Sequence, residues 1–242
     1  MTLTPALSMP LVTGSIRLLD SFMDPDFLDA LIHDLKGPIG RIAMLGELIR
    51  RRAVALDSET QLLLQHVADS AASADTVLEG VRRYAEATQR PFKGERVELS
   101  IALETALKRL NSRLAQSKAS VIREPLPTID GDLGQMTTLF EELIANAVRF
   151  RSEEPPVIEI KAAVVEPDSW LISIHDNGTG LNGIPDRRLF RPFGKASERA
   201  GVGMGLAICD RIAKAHHGRI RAAPSTTGAQ FHLLLPRSSK PE

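Results

Sequence analysis

The chain has 242 residues, of which 43% are hydrophobic and 25% charged, a composition typical of one large or two modest globular domains. The 30 basic and 30 acidic side chains balance, so no net positive charge indicates a nucleic-acid partner. The single cysteine, Cys209, excludes an internal disulfide framework, and no apolar run reaches the roughly 18–20 residues that span a bilayer. The sequence therefore predicts a cytoplasmic protein that binds neither nucleic acid nor membrane.

The first part of the chain predicts a short tail followed by two long helices. Residues 1–22 show no hydrophobic period, which predicts a tail too short to be a sensory domain. A first helix is predicted from Asp24 to the arginines at 50–52, and a second from Ser58 to about Arg83, where Ser58 and Gln61 have capping-box spacing. The first helix carries apolar residues at heptad spacing, namely Leu28, Ile32, Leu35, Ile39, Ile42 and Ile49.

Two amphipathic helices joined by a short connector predict an antiparallel hairpin over residues 23–90. One hairpin covers only part of its apolar surface, so we expect two copies to form a dimeric four-helix bundle. Pro38 removes a backbone donor inside the first helix and predicts a local kink. The pair His33-Asp34 lies on the same helix and, taken alone, is typical of an ordinary solvent-exposed helix surface.

After a linker over Gln89–Gly94, residues 95–237 predict a second domain of mixed strands and helices. This alternation predicts an α+β sandwich in which helices cover one face of a mixed sheet. The predicted strands are Val97–Leu99, Ala119–Arg123, Val157–Glu166, Ser169–His175, Arg219–Ala222 and Ala229–Leu235, and the predicted helices are Ser100–Ser117, Leu133–Arg151 and Met204–Ala215.

One polar face interrupts the apolar helix predicted over Leu133–Arg151. Glu142, Asn146 and Arg149 recur at helical spacing and therefore share that face. Asn146 is flanked by alanines, and an amide in such surroundings needs hydrogen-bond partners. Its side-chain oxygen is suited to Mg²⁺, a hard cation that prefers oxygen ligands.

Three glycine-containing segments follow. Asp176-Asn177-Gly178-Thr179-Gly180 comes directly after an apolar strand, where the carboxylate could accept from an exocyclic amine and the glycines let the backbone approach a ligand. Gly201-Val202-Gly203-Met204-Gly205-Leu206 opens a helix, whose N-terminus favours anions. Phe190-Arg191-Pro192-Phe193-Gly194-Lys195 lies between them. The Rossmann interpretation is excluded because no βαβ unit surrounds the glycines.

In chain order, four segments resemble the N, G1, F and G2 boxes of sensor histidine kinases, namely the helix around Asn146, Asp176–Gly180, Phe190–Phe193 and Gly201–Leu206. His33-Asp34-Leu35-Lys36-Gly37-Pro38 resembles their H box. The resemblance covers residues 24–237. It implies a dimerisation and histidine phosphotransfer hairpin followed by a Bergerat-type ATP-binding domain, the ATPase fold also found in DNA gyrase and Hsp90. The implied activity is ATP-dependent phosphorylation of His33 in a homodimer, then transfer to an aspartate of a response regulator receiver domain. Because the predicted tail is too short to be a sensory domain, we expect the signal to come from a separate sensory partner or through the N-terminal segment.

The same resemblance implies a role for each matching residue. Asp176 would bind the adenine amino group, Asn146 would hold Mg²⁺, and Arg149 and Lys195 could meet the phosphates of ATP. His33 would attack the γ-phosphate, while Asp34 orients the imidazole or takes its proton. Five glycines would shape the pocket and its lid: Gly178, Gly180, Gly201, Gly203 and Gly205.

Two positions depart from the family pattern. Gly37 stands where the family commonly has Thr or Asn, a residue implicated in dephosphorylating the partner, so the resemblance predicts weak or absent phosphatase activity. Glu142 stands where histidine kinases commonly have Asn and the ATP-hydrolysing relatives have Glu. It is therefore either a base that activates water or a carboxylate that assists Mg²⁺ indirectly.

Two other functions stay open. One is a phosphotransfer or scaffold protein with a degenerate ATP-binding domain, against which Asn146 and the intact glycine segments argue. The other is a Ser/Thr-directed kinase of the anti-sigma type, which shares the ATPase fold, and the hairpin bearing His33 argues against it. The histidines outside the H box lack the company of metal ligands and are predicted to be structural or solvated.

Overall fold

A computed structural model describes residues 25–52, 57–89, 92–165, 168–181, 183–194 and 203–237. The chain divides between Ala85 and Glu86 into two compact units. The tail predicted over residues 1–22 lies outside the described residues, and the domain limits 23–90 and 95–237 stay predictions.

The N-terminal unit is the predicted helical hairpin. Helix α1 runs over Pro25–Arg52 and continues through Pro38, and α2 runs over Ser58–Gln89, past the predicted end at Arg83. The two helices are antiparallel, because Lys36 Nζ lies 3.7 Å from Glu79 Oε2 near one end. Nearer the connector, a Cβ added at Gly46 would lie 3.6 Å from Val67 Cγ1, which shows that the helices approach closely there.

The residue that caps α2 differs from the prediction. Asp57, and not Ser58, is the N-cap, since its Oδ1 accepts a hydrogen bond from the Thr60 amide at 2.6 Å. That bond lowers the pKa of the Asp57 carboxyl. The capping box assigned to Ser58 and Gln61 is therefore wrong, because the helix begins at Ser58, one residue earlier than that pairing requires.

The second unit contains the remaining elements. In chain order they are β1 Glu95–Glu98, α3 Leu99–Ser117, β2 Ser120–Arg123, β3 Thr128–Gly131, α4 Leu133–Arg149, β4 Val157–Val165, β5 Ser169–Asp176, α5 Asp186–Leu189, α6 Gly205–Ala215, β6 Arg219–Ala223 and β7 Gln230–Pro236. Strand β3 and the short helix α5 were not predicted. Helix α4 ends at Arg149 rather than Arg151, and β5 extends by one residue to include Asp176.

The main sheet has five strands in the order β2-β4-β5-β7-β6. Strands β2 and β4 are parallel and the other neighbours are antiparallel, so the predicted mixed sheet is confirmed. Strands β1 and β3 form a separate antiparallel pair. The predicted α+β sandwich of Bergerat type is thus the observed fold.

The core lies between the sheet and the helices. Residues of α3, α4, β4, β5 and β7 are fully buried there, among them Leu103, Phe140, Ile144, Ile160, Ile172 and Leu233. Along β5 every second residue is buried, beginning with Ile172 and Ile174. Asp176 continues this alternation, so its carboxyl follows the apolar side chains toward the buried face of the sheet.

Candidate functional site

Asp176 is a buried carboxylate at the end of a core strand. Asp176 is 8% exposed, and its Oδ1 accepts hydrogen bonds from the Gly178 amide at 2.8 Å and the Ala229 amide at 3.1 Å. Burial raises the pKa of this carboxyl, and the two backbone donors partly oppose that rise. Both bonds go to the same oxygen, so Oδ2 is the atom that can accept from a ligand.

The residue after Asp176 fixes the loop rather than binding a ligand. Asn177 Oδ1 accepts from the Val157 amide at 2.8 Å, and its Nδ2 donates to the Pro155 carbonyl at 3.1 Å. These bonds attach the loop to the start of β4. Thr179 donates its amide to the Phe150 carbonyl at 2.9 Å, which ties the same loop to the end of α4. The sequence motif alone did not reveal this anchoring role of Asn177.

Glycines are required where the loop passes other backbone. A Cβ at Gly178 would lie 2.5 Å from the Phe150 carbonyl oxygen, and one at Gly180, whose φ is +75°, would lie 3.0 Å from that of Gly228. Gly228 has a φ of +63°, and its Cβ would overlap the Asp176 carbonyl oxygen. Sequence reasoning missed Gly228, since only a lone glycine before the last strand marks it.

A small cavity opens beside Asp176. Its volume is about 50 Å³, and the residues that line it are Asn146, Phe150, Asp176, Gly180, Leu181, Leu189, Leu206, Ala229 and Phe231. The walls are apolar except for one carboxylate and one amide, which suits a flat heteroaromatic ring that carries an amino group. Ligand pockets commonly hold roughly 300 Å³ or more, so leucine and phenylalanine side chains must move when such a ring enters.

Three predicted site residues meet where α4 faces the start of α6. A Cβ at Gly205, the first residue of α6, would lie 2.5 Å from Glu142 Oε2 and 3.7 Å from Asn146 Nδ2. Glu142 and Asn146 are one helical turn apart on α4, and Asn146 also lines the cavity with Asp176. The structure therefore places an amide and a carboxylate beside a glycine at a helix N-terminus.

The donor set here fits Mg²⁺. This ion is commonly held by one or two protein oxygens together with substrate phosphates. Glu142 and Asn146 each carry a side-chain oxygen, and both side chains lie beside Gly205. No group of three or more His, Cys, Asp or Glu side chains suited to a metal occurs within the described ranges, so this chain offers no complete protein cage there.

Arg149 lies in different surroundings. Its side chain is exposed at the end of α4 and lines a separate groove of about 330 Å³ with Arg113 and Arg151. The structure thus brings Glu142 and Asn146 together with Asp176, and it does not bring Arg149 into the same cavity. Lys195 and Gly201 lie outside the described residues.

The F-like and G2-like segments lie close together at Gly194 and Gly203. Gly203 has a φ of +74°, and a Cβ there would lie 2.6 Å from the Gly194 carbonyl oxygen. Phe193 has a positive φ of 60° and a side chain that is 54% exposed. A non-glycine residue in that conformation indicates local backbone strain.

His33 lies in the other unit, on α1, and its side chain is 90% exposed. Its Nδ1 lies 3.4 Å from Asp34 Oδ1, so Nε2 is the ring nitrogen that faces away from that carboxylate. A Cβ at Gly40 would meet nothing within 4 Å, and one at Gly37 would meet only the Arg41 side chain at 3.4 Å. Small neighbours therefore leave the imidazole open.

Comparison with known proteins gives consistent results. Residues 131–239 match the family model of the histidine kinase-, DNA gyrase B- and HSP90-like ATPases. Cyanobacterial phytochrome A of a Nostoc species is 34% identical over 209 residues, which are 84% of this chain and 27% of that protein. The adaptive-response sensory kinase SasA of a Synechococcus species is 25% identical over 86% of this chain and 58% of its own length.

Two solved structures share the fold. Full-length ShkA in complex with AMPPNP has a TM-score of 0.60 at 19% identity, covering 87% of this chain and 45% of that one. The Acinetobacter baumannii histidine kinase AdeS has a TM-score of 0.57 at 22% identity, covering 84% and 97%. The chain spans only 27% and 28% of the first two curated relatives. Within the described ranges, no helix is both long and apolar enough to cross a membrane.

Proposed function

We propose that this chain, which belongs to the sensor histidine kinase family, phosphorylates His33 with ATP bound beside Asp176. The phosphoryl group then passes to an aspartate of a response regulator receiver domain. The observation that carries the proposal is the buried Asp176 carboxylate in an apolar cavity shared with Asn146. We further propose residues 23–90 as the phosphotransfer domain and residues 95–237 as the ATP-binding domain.

The nucleotide half of the proposal follows from the cavity. Asp176 Oδ2 would accept a hydrogen bond from the adenine amino group, while Leu189, Leu206 and Phe231 would contact the ring faces. The glycines at 178 and 180, with those at 201, 203 and 205, would let backbone lie close to the sugar and phosphates. ShkA, which has the same fold, was solved with the ATP analogue AMPPNP, which supports a nucleotide site here.

The phosphates would extend from that cavity toward the N-terminus of α6. Asn146 would ligate Mg²⁺, with Glu142 beside it, and bound Mg²⁺ would neutralise charge on the phosphates. The N-terminus of α6 carries the partial positive charge that favours an anion. Arg149 and Lys195 are proposed to reach the phosphates by their long side chains.

The phosphoryl acceptor would be His33 Nε2. This nitrogen attacks the γ-phosphorus, the bond between γ-phosphorus and the β,γ-bridging oxygen breaks, and ADP leaves. The proton stays on Nδ1, which lies 3.4 Å from Asp34 Oδ1, so the carboxylate orients the ring and stabilises the positive charge that develops. The chain would act in the cytoplasm, where ATP is present and the buried thiol of Cys209 stays reduced.

Incubation with γ-labelled ATP tests the acceptor. The wild type and the His66→Gln control, whose histidine is also exposed on a hairpin helix, should become labelled, while His33→Gln should not. The label should be lost in acid and retained in base, as expected for a phosphohistidine. Undiminished labelling of His33→Gln would contradict the proposed acceptor, and an acid-stable label would favour the Ser/Thr-directed kinase. ATP titration of the wild type separates a kinase from a scaffold protein with a degenerate ATP domain.

Gly37 leads to a prediction about phosphatase activity toward the response regulator. Glycine has no side chain to orient a water molecule, so we expect the protein not to accelerate loss of phosphate from a phosphorylated response regulator. The measurement is the decay of the phosphorylated regulator with and without the protein in the presence of ADP. Gly37→Thr and Gly37→Asn are the variants expected to gain such activity, and acceleration by the wild type itself would contradict the prediction.

A further inference from the structure

Helix α6 begins without a cap of its own. The residue at the N-cap position is Met204, which makes no side-chain capping bond, and the first turn of α6 contains no acidic residue. The first amides of a helix have no intrahelical partners and carry partial positive charge. An 11-residue helix of this kind is stabilised when an anion lies at its start.

Glu142 of the neighbouring helix supplies that anion. Its Oε2 lies 2.5 Å from the position of a Cβ added at Gly205, so the carboxylate stands directly against the first residue of α6. The two helices are held in this relation one turn further along, where Cys209 Sγ lies 3.7 Å from the Leu139 carbonyl oxygen. Gly205 is therefore the residue that leaves room for the carboxylate.

We propose that Glu142 is a positioning residue that caps α6 from α4 and makes the start of α6 select metal-bound over metal-free nucleotide. The selection rests on the proposed function, because it concerns ATP, whereas the capping does not. A phosphate that approaches these amides meets a carboxylate of the same sign a few ångströms away. The repulsion weakens binding of bare ATP, and a divalent cation beside Asn146 relieves it.

Amide hydrogen exchange of the ligand-free protein tests the capping. Glu142→Gln removes the charge and should accelerate exchange of the Ile208 and Cys209 amides by about threefold. Glu142→Ala removes the whole side chain and should accelerate exchange of both amides by about tenfold. Glu141→Gln is the matched control, since Glu141 precedes Glu142 but pairs with Arg109 at 2.9 Å. Unchanged exchange in both variants at position 142 would overturn the capping role, whatever the nucleotide results are.

Equilibrium binding of ATP, measured by calorimetry with EDTA and separately with excess Mg²⁺, tests the selection. Glu142→Gln should bind metal-free ATP about tenfold more tightly than the wild type, so the ratio of its affinities with and without Mg²⁺ should fall by at least about tenfold. Glu141→Gln should match the wild type in both conditions. Equal affinities of Glu142→Gln and wild type for metal-free ATP would overturn the selection.

The same titration separates this inference from the proposed function. A wild type that binds no ATP with Mg²⁺ would contradict the proposed function and the selection together, while the exchange experiment would still decide the capping. Loss of His33 phosphorylation in Glu142→Gln without any change in metal-free binding would instead support a base role for Glu142 and overturn the selection.

Discussion

At the scale of single residues, Asp176 shows that the candidate site opposes stability. The carboxyl is buried because it continues the inward alternation of β5, and burial of its charged form is costly enough to raise its pKa. The charge therefore weakens the fold at neutral pH, since the folded state holds the proton more tightly than the unfolded chain does. The proposed contact with the adenine amino group would explain why a charged residue occupies this position.

We predict that Asp176→Asn separates binding from stability. Asparagine keeps an oxygen for the Gly178 and Ala229 amides but presents a donor where the adenine amino group needs an acceptor. ATP affinity should fall at least about tenfold, while the free energy of unfolding stays equal or rises by up to about 1 kcal/mol. Calorimetry and urea unfolding measure the two quantities. Asp168→Asn, at an exposed turn, is the control, and a clearly destabilised Asp176→Asn would contradict the argument.

Gly228 predicts an effect that its position in the sequence does not reveal. A methyl group there would overlap the Asp176 carbonyl oxygen, and the φ of +63° adds strain of its own. Gly228→Ala should therefore lower the free energy of unfolding by about 3 kcal/mol and weaken ATP binding.

Gly183→Ala is the matched control, because Gly183 has a φ of +71° but nothing within 4 Å of an added Cβ. It should lose only the backbone term of about 1 kcal/mol, measured by the same urea unfolding. Equal losses in the two variants would show that the contact with Asp176 contributes nothing.

The contrast between these residues shows what local patterns can predict at a site. Asp176 and Asn146 were predicted because each combines a polar side chain with an apolar element, which is visible within a few residues. Gly228 and the anchoring bonds of Asn177 depend on backbone that approaches from 52 and 20 residues away. Such contacts arise from the register of the sheet, which local sequence does not specify.

At the scale of elements, His216 joins α6 to the start of α4. It is 2% exposed, its Nε2 accepts from the Asp132 amide at 3.0 Å, and its Nδ1 donates to the Ile212 carbonyl at 2.8 Å. Phe92 packs edge-on against the ring, and Lys93 Nζ lies 3.6 Å from Asp132 Oδ2. The neutral His216 side chain therefore connects three parts of the chain: the interdomain segment at Phe92, the start of α4 and the end of α6.

We predict that the second unit loses stability as the pH falls below about 6.5. Burial lowers the pKa of His216, while the charge of Asp132 opposes that effect and the charge of His217 adds to it. The unfolded chain then binds a proton that the folded state does not, so stability is full above the unfolded pKa and declines below it. Urea unfolding should show a loss of up to about 1.4 kcal/mol per pH unit below 6.5.

His216→Gln should flatten this dependence even if it lowers overall stability, because glutamine does not titrate. His66→Gln, which changes an exposed histidine of the hairpin, should leave the slope unchanged. Glu47, whose ion pairs lower its pKa from 4.5 to about 2, loses its contribution to stability only below about pH 4.5, so it does not produce a slope near pH 6. A wild-type slope that survives in His216→Gln would contradict the assignment.

The elements themselves were mostly predictable, and the exceptions have physical causes. Strand β3 has four residues after Pro125 and Pro127, and it is a strand only because it pairs with β1.

 The residues that pair between β1 and β3 are 36 positions apart at Glu95↔Gly131 and 30 positions apart at Glu98↔Thr128. Local propensity carries no information over such separations. The cap of α2 moved from Ser58 to Asp57 because both residue types are good N-caps and only the observed bond to Thr60 distinguishes them.

At the scale of the whole molecule, the hairpin exposes a large apolar surface. Ile32 is buried at 4%, but other residues of the predicted heptad seam are not, since Leu35, Ile42 and Ile49 are 41%, 51% and 49% exposed. Neighbouring apolar side chains are also exposed on both helices, namely Met44, Leu45, Leu48, Leu62, Leu63 and Val67. A second copy of the hairpin would cover these exposed side chains, which supports the predicted dimeric bundle.

We predict that the wild type is a dimer and that Ile42→Glu converts it to a monomer. Two carboxylates would enter the apolar centre of the bundle, one from each chain, and neither would find a partner there. The dimer dissociation constant should rise by at least about 100-fold, measured by sedimentation equilibrium over a range of concentrations.

Ile122→Glu is the matched control for this substitution. Ile122 is 53% exposed, almost the same as Ile42, but it lies on β2 in the other unit. If the exposed seam of α1 is the dimer interface, only the change at residue 42 alters the molecular mass in solution. A monomeric wild type, or equal effects of the two variants, would show that the apolar seam is not buried between two copies of the chain. Because the hairpin carries His33, a monomeric Ile42→Glu that still folds would also show, by its labelling with γ-labelled ATP, whether phosphorylation needs the second copy.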